Sequence, residues 1–207
     1  MKTQLISAAH PDAIALACQV VRSGGLIAFP TDTLYGLGCD PHSPTALQRI
    51  YAAKGRATSK AIPVLISHPD QLTNLVTGFP EQAVKLTEEW WPGALTLVLP
   101  KNPDLPPDLT PYPGLAVRMP EHPVALSLLD QTGPLAVTSA NLSDHENPRD
   151  AQGVLAQLNE LVDLVLDGGK LSGGQASTII DCMGNEPKLL REGPIPFSEI
   201  LERWYTK

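Results

Sequence analysis

Residues 26–38, which read LIAFPTDTLYGLG, indicate the class of fold. The apolar run at 26–29 has the length of a buried strand, and it leads directly into a series of hydroxyl side chains. Upstream, residues 12–23 carry apolar side chains at helical spacing, and Gly24 ends that pattern. A helix followed by a buried strand with polar residues at its end is typical of α/β proteins, whose open sheets bind ligands at strand ends.

The same alternation of helices and strands continues toward the C-terminus. Ser43 has the residue type of an N-cap and Pro44 suits the first helical position, which predicts a helix over 44–53. Further helices are predicted at 81–90, 122–131 and 197–204, and further strands at 62–66, 95–99, 115–118, 135–138, 162–166, 178–181 and 188–191. We therefore predict an α/β fold with a single domain over residues 1–207, in which helices flank a twisted, mixed β-sheet.

The composition excludes several functional classes. The 207 residues are 43% apolar, which suffices for one substantial core. A net charge of −7 has the wrong sign for tight non-specific binding of nucleic acid. The three cysteines and five histidines are scattered, so we expect neither a disulfide framework nor a zinc site. Because the sequence has no signal peptide and no membrane-spanning run, it predicts a cytoplasmic protein.

Proline is the other unusual feature of the composition. The chain has 21 prolines, about twice the usual share, which indicates many loops. Five of them lie in residues 102–114. This segment is predicted to be a loop, and its length makes it a candidate lid over a binding site.

One segment departs from the acidic average. Residues 41–69 contain no Asp or Glu but include Lys54, Arg56 and Lys60. Because guanidinium and ammonium groups bind phosphates, the segment is a candidate site for a small anion. The alternative is a solvated surface on which cations favour the C-terminal end of a helix.

A second polar pair, Ser139 and Asn141, follows the predicted strand at 135–138. Lys54 and Arg56 are likewise two residues apart, and in an extended segment such pairs lie on one face. Together the four side chains offer positive charge and hydrogen-bond donors to a nucleotide phosphate chain. Ser139 lacks the Gly-x-Ser-x-Gly surroundings of a nucleophile, and a polar turn after the strand is the alternative.

Arg118 is a lone cation within an apolar strand. A charge in that position needs a partner, so Arg118 pairs either with an aspartate or with a substrate carboxylate. Ser177 and Arg191 lie at the ends of other predicted strands and are weaker candidates for the same site.

The residues after the strand at 26–29 also allow two interpretations. Thr33 and its neighbours can bind a small polar substrate, or they can form a Thr/Asx turn that caps the strand. Gly36 and Gly38 allow a tight turn or the close approach of the backbone to a ligand. The string is neither a P-loop nor a dinucleotide fingerprint, because the third glycine and the Gly-Lys-Thr/Ser element are missing.

Seven strings in this sequence occur in the same order in the YrdC family, which the chain resembles over about residues 10–195. In combination they are specific to that family. They are PTDTLYGLG at 30–38, KGR at 54–56, WPGALT at 91–96, VRMP at 117–120, SANLS at 139–143, ST at 177–178 and LREG at 190–193.

The resemblance implies an L-threonylcarbamoyladenylate synthase with a concave basic cavity. Such an enzyme joins L-threonine, bicarbonate and ATP to give threonylcarbamoyl-AMP and pyrophosphate. Mg²⁺ would arrive with ATP, and no metal would be held by the protein alone. The product would pass to the machinery that transfers the threonylcarbamoyl group to tRNA, and the chain itself would bind tRNA weakly at most.

The resemblance also implies residue roles, carried over by motif. L-Threonine would be bound by Thr33, Arg118 and Ser177, with Arg118 on its carboxylate. The catalytic residues would be Lys54, Arg56, Ser139 and Asn141. Nucleotide contacts would come from Arg56, Lys60, Ser139, Asn147 and Arg191.

Several positions depart from the family pattern. Ala57 replaces a proline that often follows Lys-x-Arg, and residues 61–62 read Ala-Ile where Pro-Leu is usual. Leu65 replaces a histidine of some members, and Asp144 replaces the usual glycine after Ser-Ala-Asn-Leu-Ser. We also expect a single-domain form without the second domain of some synthases. Two alternatives remain, an RNA-binding module and a family paralogue with weak or different adenylate-forming activity, and Thr33 and Arg118 argue against the second.

Overall fold

The strands of the chain join into one sheet. The computed structural model describes residues 2–172 and 175–206. The strands are β1 (Gln4–Ser7), β2 (Ile27–Phe29), β3 (Gly36–Cys39), β4 (Val64–Leu65), β5 (Leu95–Pro100), β6 (Gly114–Arg118), β7 (Leu135–Ser139), β8 (Leu164–Asp167), β9 (Thr178–Asp181) and β10 (Lys188–Arg191). The α-helices are α1 (Ala13–Arg22), α2 (Pro44–Lys54), α3 (Glu81–Trp90), α4 (Pro123–Thr132), α5 (Ala151–Leu158) and α6 (Phe197–Tyr205), and a 3₁₀-helix covers Pro69–Asn74.

The sheet is mixed. Its strand order is β1-β8-β2-β3-β7-β4-β6-β5-β9-β10. The pairs β1–β8, β2–β8, β4–β6 and β5–β9 are parallel. The pairs β2–β3, β3–β7, β4–β7, β5–β6 and β9–β10 are antiparallel. The predicted α/β fold, a single domain with a mixed sheet flanked by helices, is confirmed.

Helices cover both faces of this sheet. Successive side chains of each strand point to opposite faces, and both faces carry apolar side chains that pack against helices. On β5, Leu95, Leu97 and Leu99 belong to a core that also includes residues of α2, α3, α5 and α6. A second core lies on the opposite face, where α1 and α4 pack against β2, β7 and β8. Thr96 alternates with the β5 leucines and therefore faces the side of the sheet that carries α1 and α4.

The caps of α2 explain why it begins and ends where it does. The Ser43 hydroxyl accepts a hydrogen bond from the Ala46 amide at 3.3 Å, as predicted for an N-cap, and Pro44 occupies the first turn. Gly55 ends the helix in the left-handed region, with φ of 58°. The chain therefore turns sharply between Lys54 and Arg56, which are not part of one extended segment as we had considered.

Strand β3 excludes one of the two roles considered for its glycines. Gly36 and Gly38 do not form a tight turn, because they pair with β2 and β7 inside the sheet. A Cβ atom on Gly36 would lie 2.7 Å from Val137 Cγ1, and one on Gly38 would lie 3.0 Å from the Phe29 ring. Glycine is needed at both positions because neighbouring side chains fill the space above the strand.

The membrane prediction can be examined for the same part of the chain. Across residues 2–172 and 175–206, each helix is too short or too polar to cross a bilayer.

Candidate functional site

A cavity of about 330 Å³ opens above the central strands of the sheet. Its wall includes Thr96 of β5, Arg118 of β6 and Val137 of β7. Val137 belongs to the core under α1 and α4, so the cavity lies on the same face of the sheet as these helices. Other parts of the wall come from the loop after β2, the loop after α2 and the segment that precedes β9. Three arginines, Arg56, Arg118 and Arg191, line the cavity, whereas the described lining contains no acidic side chain.

Arg118 is the most firmly held of these arginines. Its side chain is 7% exposed, and its Nη2 lies 2.5 Å from Asp32 Oδ2. Nε donates to the Gly93 carbonyl at 2.8 Å, and Nη1 donates to the Thr33 hydroxyl at 2.7 Å. A guanidinium has five N–H groups, and these contacts use one on each nitrogen. Each terminal nitrogen therefore retains one N–H group that these three contacts do not use.

Asp32 explains how a charge is tolerated inside the sheet. Burial lowers the pKa of the Arg118 guanidinium, whereas the Asp32 carboxylate raises it. The second carboxylate oxygen of Asp32 accepts the Glu121 amide at 3.1 Å. The sequence allows two partners for Arg118, an aspartate or a substrate carboxylate. In the structure the partner is Asp32, and Arg118 still lines the cavity.

Ser177 anchors a second polar group beside Arg118. Its hydroxyl lies 2.7 Å from the Thr96 hydroxyl and accepts from Arg191 Nη2 at 3.1 Å. Arg191 Nε also donates to the Ser177 carbonyl at 3.0 Å. All three side chains line the cavity. The strand ends of β9 and β10 thus meet there as predicted, with Thr96 as a partner that the sequence had not indicated.

The segment after α2 supplies the cations of another part of the wall. Arg56 is half-buried, and its Nη2 donates to the Ala61 carbonyl at 2.9 Å. Arg56 Nε lies 3.4 Å from the Lys60 carbonyl, so the guanidinium closes the loop that carries it. Burial lowers the pKa of Arg56. The Lys60 side chain is half exposed, at 50%, and lies 3.6 Å from the Asp144 carboxylate.

Lys54 differs from Arg56 and Lys60 because it is buried, with 2% exposure. Its ammonium donates to the Ser139 carbonyl at 2.5 Å, to the Asn141 carbonyl, and to Asn141 Oδ1 at 3.2 Å. Ser139 Oγ donates to the same Oδ1 atom at 2.6 Å. The two motifs do meet, as the sequence predicted. However, Lys54 holds the turn that presents Ser139 and is not itself in the cavity wall.

The surroundings of Lys54 also affect its protonation. Burial, with smaller contributions from Arg56 and Lys60, lowers the pKa of Lys54 to about 8. The three oxygen acceptors favour the ammonium form, so Lys54 is charged at neutral pH.

The predicted site residues thus fall into two groups. Seven of them line the cavity, namely Thr33, Arg56, Arg118, Ser139, Asn147, Ser177 and Arg191. Three lie outside its wall, namely Lys54, Asn141 and Lys60. Tyr35, one of the neighbours of Thr33 in the string 30–38, also lines the wall. Its hydroxyl donates to the Gly169 carbonyl at 2.7 Å and accepts the Gly168 amide at 3.1 Å.

Within 2–172 and 175–206, no three His, Cys, Asp or Glu side chains are grouped so that they could hold an ion.

Known proteins resemble this chain over most of its length. The family model Sua5_yciO_yrdC, described as telomere recombination, matches residues 19–193. A putative threonylcarbamoyl-AMP synthase of Mycobacterium tuberculosis is 38% identical over 205 residues, which are 97% of this chain and 94% of that protein. The threonylcarbamoyl-AMP synthase of Bacillus subtilis is 41% identical over 190 residues. That match covers 90% of this chain but 55% of the Bacillus protein.

One solved structure is similar to this chain in both fold and sequence. Pyrococcus abyssi Sua5 in complex with L-threonine superposes with a TM-score of 0.88 at 39% identity. The superposition covers 92% of this chain and 56% of that one, so the chain spans little more than half of the longer relatives. The matched family model and the shared fold together establish that the chain belongs to the Sua5/YciO/YrdC family.

Proposed function

We propose that this chain is a threonylcarbamoyl-AMP synthase, which joins L-threonine, bicarbonate and ATP to give threonylcarbamoyl-AMP and pyrophosphate. One observation carries the proposal. One cavity of about 330 Å³ is lined by both Arg118 and Ser139. The Lys54 ammonium, outside the wall, donates a hydrogen bond to the Ser139 carbonyl. Arg118 suits an amino-acid carboxylate, and Ser139 with Lys54 suits a phosphate chain. The names of the Mycobacterium and Bacillus relatives support the same activity.

L-Threonine would bind beside Arg118. The remaining N–H groups on the two terminal nitrogens of Arg118 would take its carboxylate, and the hydroxyls of Thr33 and Ser177 would contact the polar groups of the amino acid. Because Asp32 fixes the guanidinium, little side-chain entropy is lost when the substrate binds. The threonine complex of the Pyrococcus relative supports this choice of ligand.

ATP would bind toward the loop after α2. Arg56, Lys60 and Arg191 would contact its phosphates or nucleoside, with Ser139 and Asn147 as hydrogen-bond donors. Lys54 and Asn141 would act in catalysis through the turn that they form with Ser139. The positive charge of this part of the wall would stabilise the charge that develops on the phosphates and on departing pyrophosphate.

The reaction would need no covalent bond to the protein. The unprotonated amine of threonine adds to bicarbonate and gives a carbamate and water. An oxygen of the carbamate then attacks the α-phosphorus of ATP, and the bond from that phosphorus to the bridging oxygen of pyrophosphate breaks. The residues of the cavity orient the two substrates, exclude water and stabilise negative charge.

Mg²⁺ would enter with ATP as part of the substrate. The described residues supply no three-ligand group, so phosphate oxygens and water would be most of its ligands. We assign no residue to the ion.

The product would leave the cavity for an enzyme that transfers the threonylcarbamoyl group to tRNA in the cytoplasm. The net charge of −7 supports weak tRNA binding at most. The same charge weighs against an RNA-binding module as the main function. The intact set of Thr33, Arg118 and the Lys54 turn weighs against a paralogue with a different substrate.

Pyrophosphate release provides the test. The purified chain is incubated with ATP, Mg²⁺ and bicarbonate, with and without L-threonine, and both pyrophosphate and the adenylate product are measured. We expect release that requires threonine and bicarbonate together. Release that ignores threonine, or an absence of release from a chain that binds ATP, would contradict the proposal and favour the paralogue.

A further inference from the structure

Asp144 occupies an unusual backbone conformation next to the loop after α2. Its φ is 65°, in the left-handed region that favours glycine, and it is one of two non-glycine residues with positive φ among those described. Aspartate tolerates this region better than most residues but still loses some stability relative to glycine. Asp144 therefore keeps a conformation in which glycine would be more stable.

The Asp144 carboxylate faces the cations of that loop. Its Oδ1 lies 3.6 Å from Lys60 Nζ, and the side chain is 87% exposed. It also raises the pKa of Arg56, against the larger effect of burial, so its charge acts on Arg56 as well. Arg56 and Lys60 are two of the three cations that the proposed function assigns to the nucleotide.

A metal-binding role for Asp144 is less consistent with these contacts. No second and third ligand are grouped with it among residues 2–172 and 175–206. Its nearest charged group is an ammonium, which a cation would have to displace. The carboxylate is therefore arranged as a competitor of anions and not as the centre of a cation site.

We propose that Asp144 competes with the nucleotide phosphates for Lys60 and Arg56 and so weakens the binding of ATP by this chain. The inference rests on the proposed function, since it takes the nucleotide to be the anion. Before ATP binds, Lys60 is paired with Asp144, and the pair must separate when the phosphates arrive. Exposed ion pairs contribute little, so we expect an effect of about two- to fivefold on affinity.

Asp144→Asn tests this inference with little change in backbone. Asparagine also tolerates positive φ, so the variant removes the charge and keeps the turn. We expect the Kd for ATP, measured by calorimetry, and the KM for ATP to fall about two- to fivefold at low salt, with an unchanged KM for threonine. The difference should shrink as salt is added, because salt screens exposed charges.

Two further variants separate the charge from other effects. Asp144→Gly removes the same charge and relieves the backbone, so it should bind ATP as tightly as Asp144→Asn while being more stable to urea. Asp70→Asn is the matched control, because Asp70 is an exposed carboxylate in an exposed pair with His68 and is not in the cavity wall. We expect no change in ATP affinity for that control.

Every outcome decides the inference. An ATP affinity that Asp144→Asn leaves unchanged overturns it. Weaker ATP binding together with a greater requirement for Mg²⁺ also overturns it and makes Asp144 a ligand of the metal. Failure of the proposed function is recognised separately, as a wild-type chain that releases no threonine-dependent pyrophosphate, since ATP binding still reports on Asp144. A chain that binds no ATP overturns both.

Discussion

The strand that carries Arg118 in the cavity wall and the loop that carries Lys60 beside it are built in opposite ways. Arg118 lies within a strand, is 7% exposed and contacts Asp32, Gly93 and Thr33. Lys60 lies in a loop, is half exposed and has one ionic contact to an exposed carboxylate. The first part is fixed before any ligand arrives, whereas the second can rearrange. We infer that the fixed part provides selectivity for a small amino acid and the loop adapts to a flexible triphosphate.

Lys54 combines a feature of each part. It ends α2 and precedes the loop, yet it is buried and bound to the turn that carries Ser139. The loop-held part of the site therefore has a rigid support. Variants can show how much of the difference between the two parts depends on such buried contacts.

The largest effect is expected for Lys54→Ala. The variant leaves the carbonyls of Ser139 and Asn141 without their donor, which costs about 1–3 kcal/mol of unfolding free energy. Turnover should fall by about 10² to 10³, because the variant removes the Lys54 charge and no longer fixes the position of Ser139. Urea unfolding and pyrophosphate release measure the two quantities. Lys60→Ala is the matched control, with little loss of stability; equal losses of stability would contradict the distinction between buried and exposed cations.

Asp32→Asn tests how firmly the fixed part is held. It leaves the buried Arg118 guanidinium without its counter-charge, and we expect the free energy of unfolding to fall by about 3 kcal/mol. Asp70→Asn removes one partner of an exposed pair and should cost no more than about 1 kcal/mol. Denaturant titration compares the variants. A loss in Asp32→Asn as small as that of the control would mean that Arg118 does not depend on Asp32.

Gly36→Ala probes the sheet beneath the cavity. The new Cβ would lie 2.7 Å from Val137 Cγ1, so we expect a loss of about 1–3 kcal/mol from overpacking. Gly78→Ala is the matched control, since its Cβ would meet only a Pro100 atom at 3.9 Å. If steric conflict is the cause, Gly36→Ala should cost much less stability in a Val137→Ala background than in the wild-type chain. An equal loss in the two backgrounds would contradict the packing explanation.

The pKa of Lys54 predicts two opposite pH effects. Its folded pKa of about 8 lies below the ordinary 10.5, so the unfolded chain holds the proton more tightly between these values. The contribution of Lys54 to stability therefore rises with pH from about 8 to 10.5. Over the same range the ammonium is lost from the free protein, and kcat/KM for ATP should fall about tenfold per pH unit.

Unfolding curves at several pH values check the first effect, with Lys54→Met as the reference that lacks the titrating group. Rate measurements at low ATP check the second. A rate profile that stays flat to pH 10 would contradict the role of the Lys54 ammonium in catalysis.

Strong local signals explain which elements the sequence predicted well. The bounds of α3, β9 and β10 agree with prediction, and Ser43 and Pro44 begin α2 as expected. By contrast β1, β3, α5 and the 3₁₀-helix were not predicted. Three of the four β1 residues are exposed, so the strand has no apolar alternation to recognise, although Asp150 is an N-cap that could have indicated α5.

The sequence predicted which residues belong to the site but not which residues they contact. The motifs identified Arg118 and Lys54, and the structure brings their segments to one cavity. The choice of Asp32 as the partner of Arg118, and of the Ser139 turn as the partner of Lys54, depends on contacts between residues more than 80 positions apart. A single sequence does not encode such pairings in any local pattern.

The division of the cavity is tested most directly by comparing KM values in Arg118→Ala and Arg56→Ala. Arg118→Ala should raise the KM for L-threonine about tenfold or more and leave the KM for ATP nearly unchanged, and Arg56→Ala should do the reverse. Arg118→Lys, which keeps the charge and loses the bidentate fork, serves if the alanine variant does not fold. Variants that each raise both KM values equally would contradict a cavity with separate carboxylate and phosphate parts.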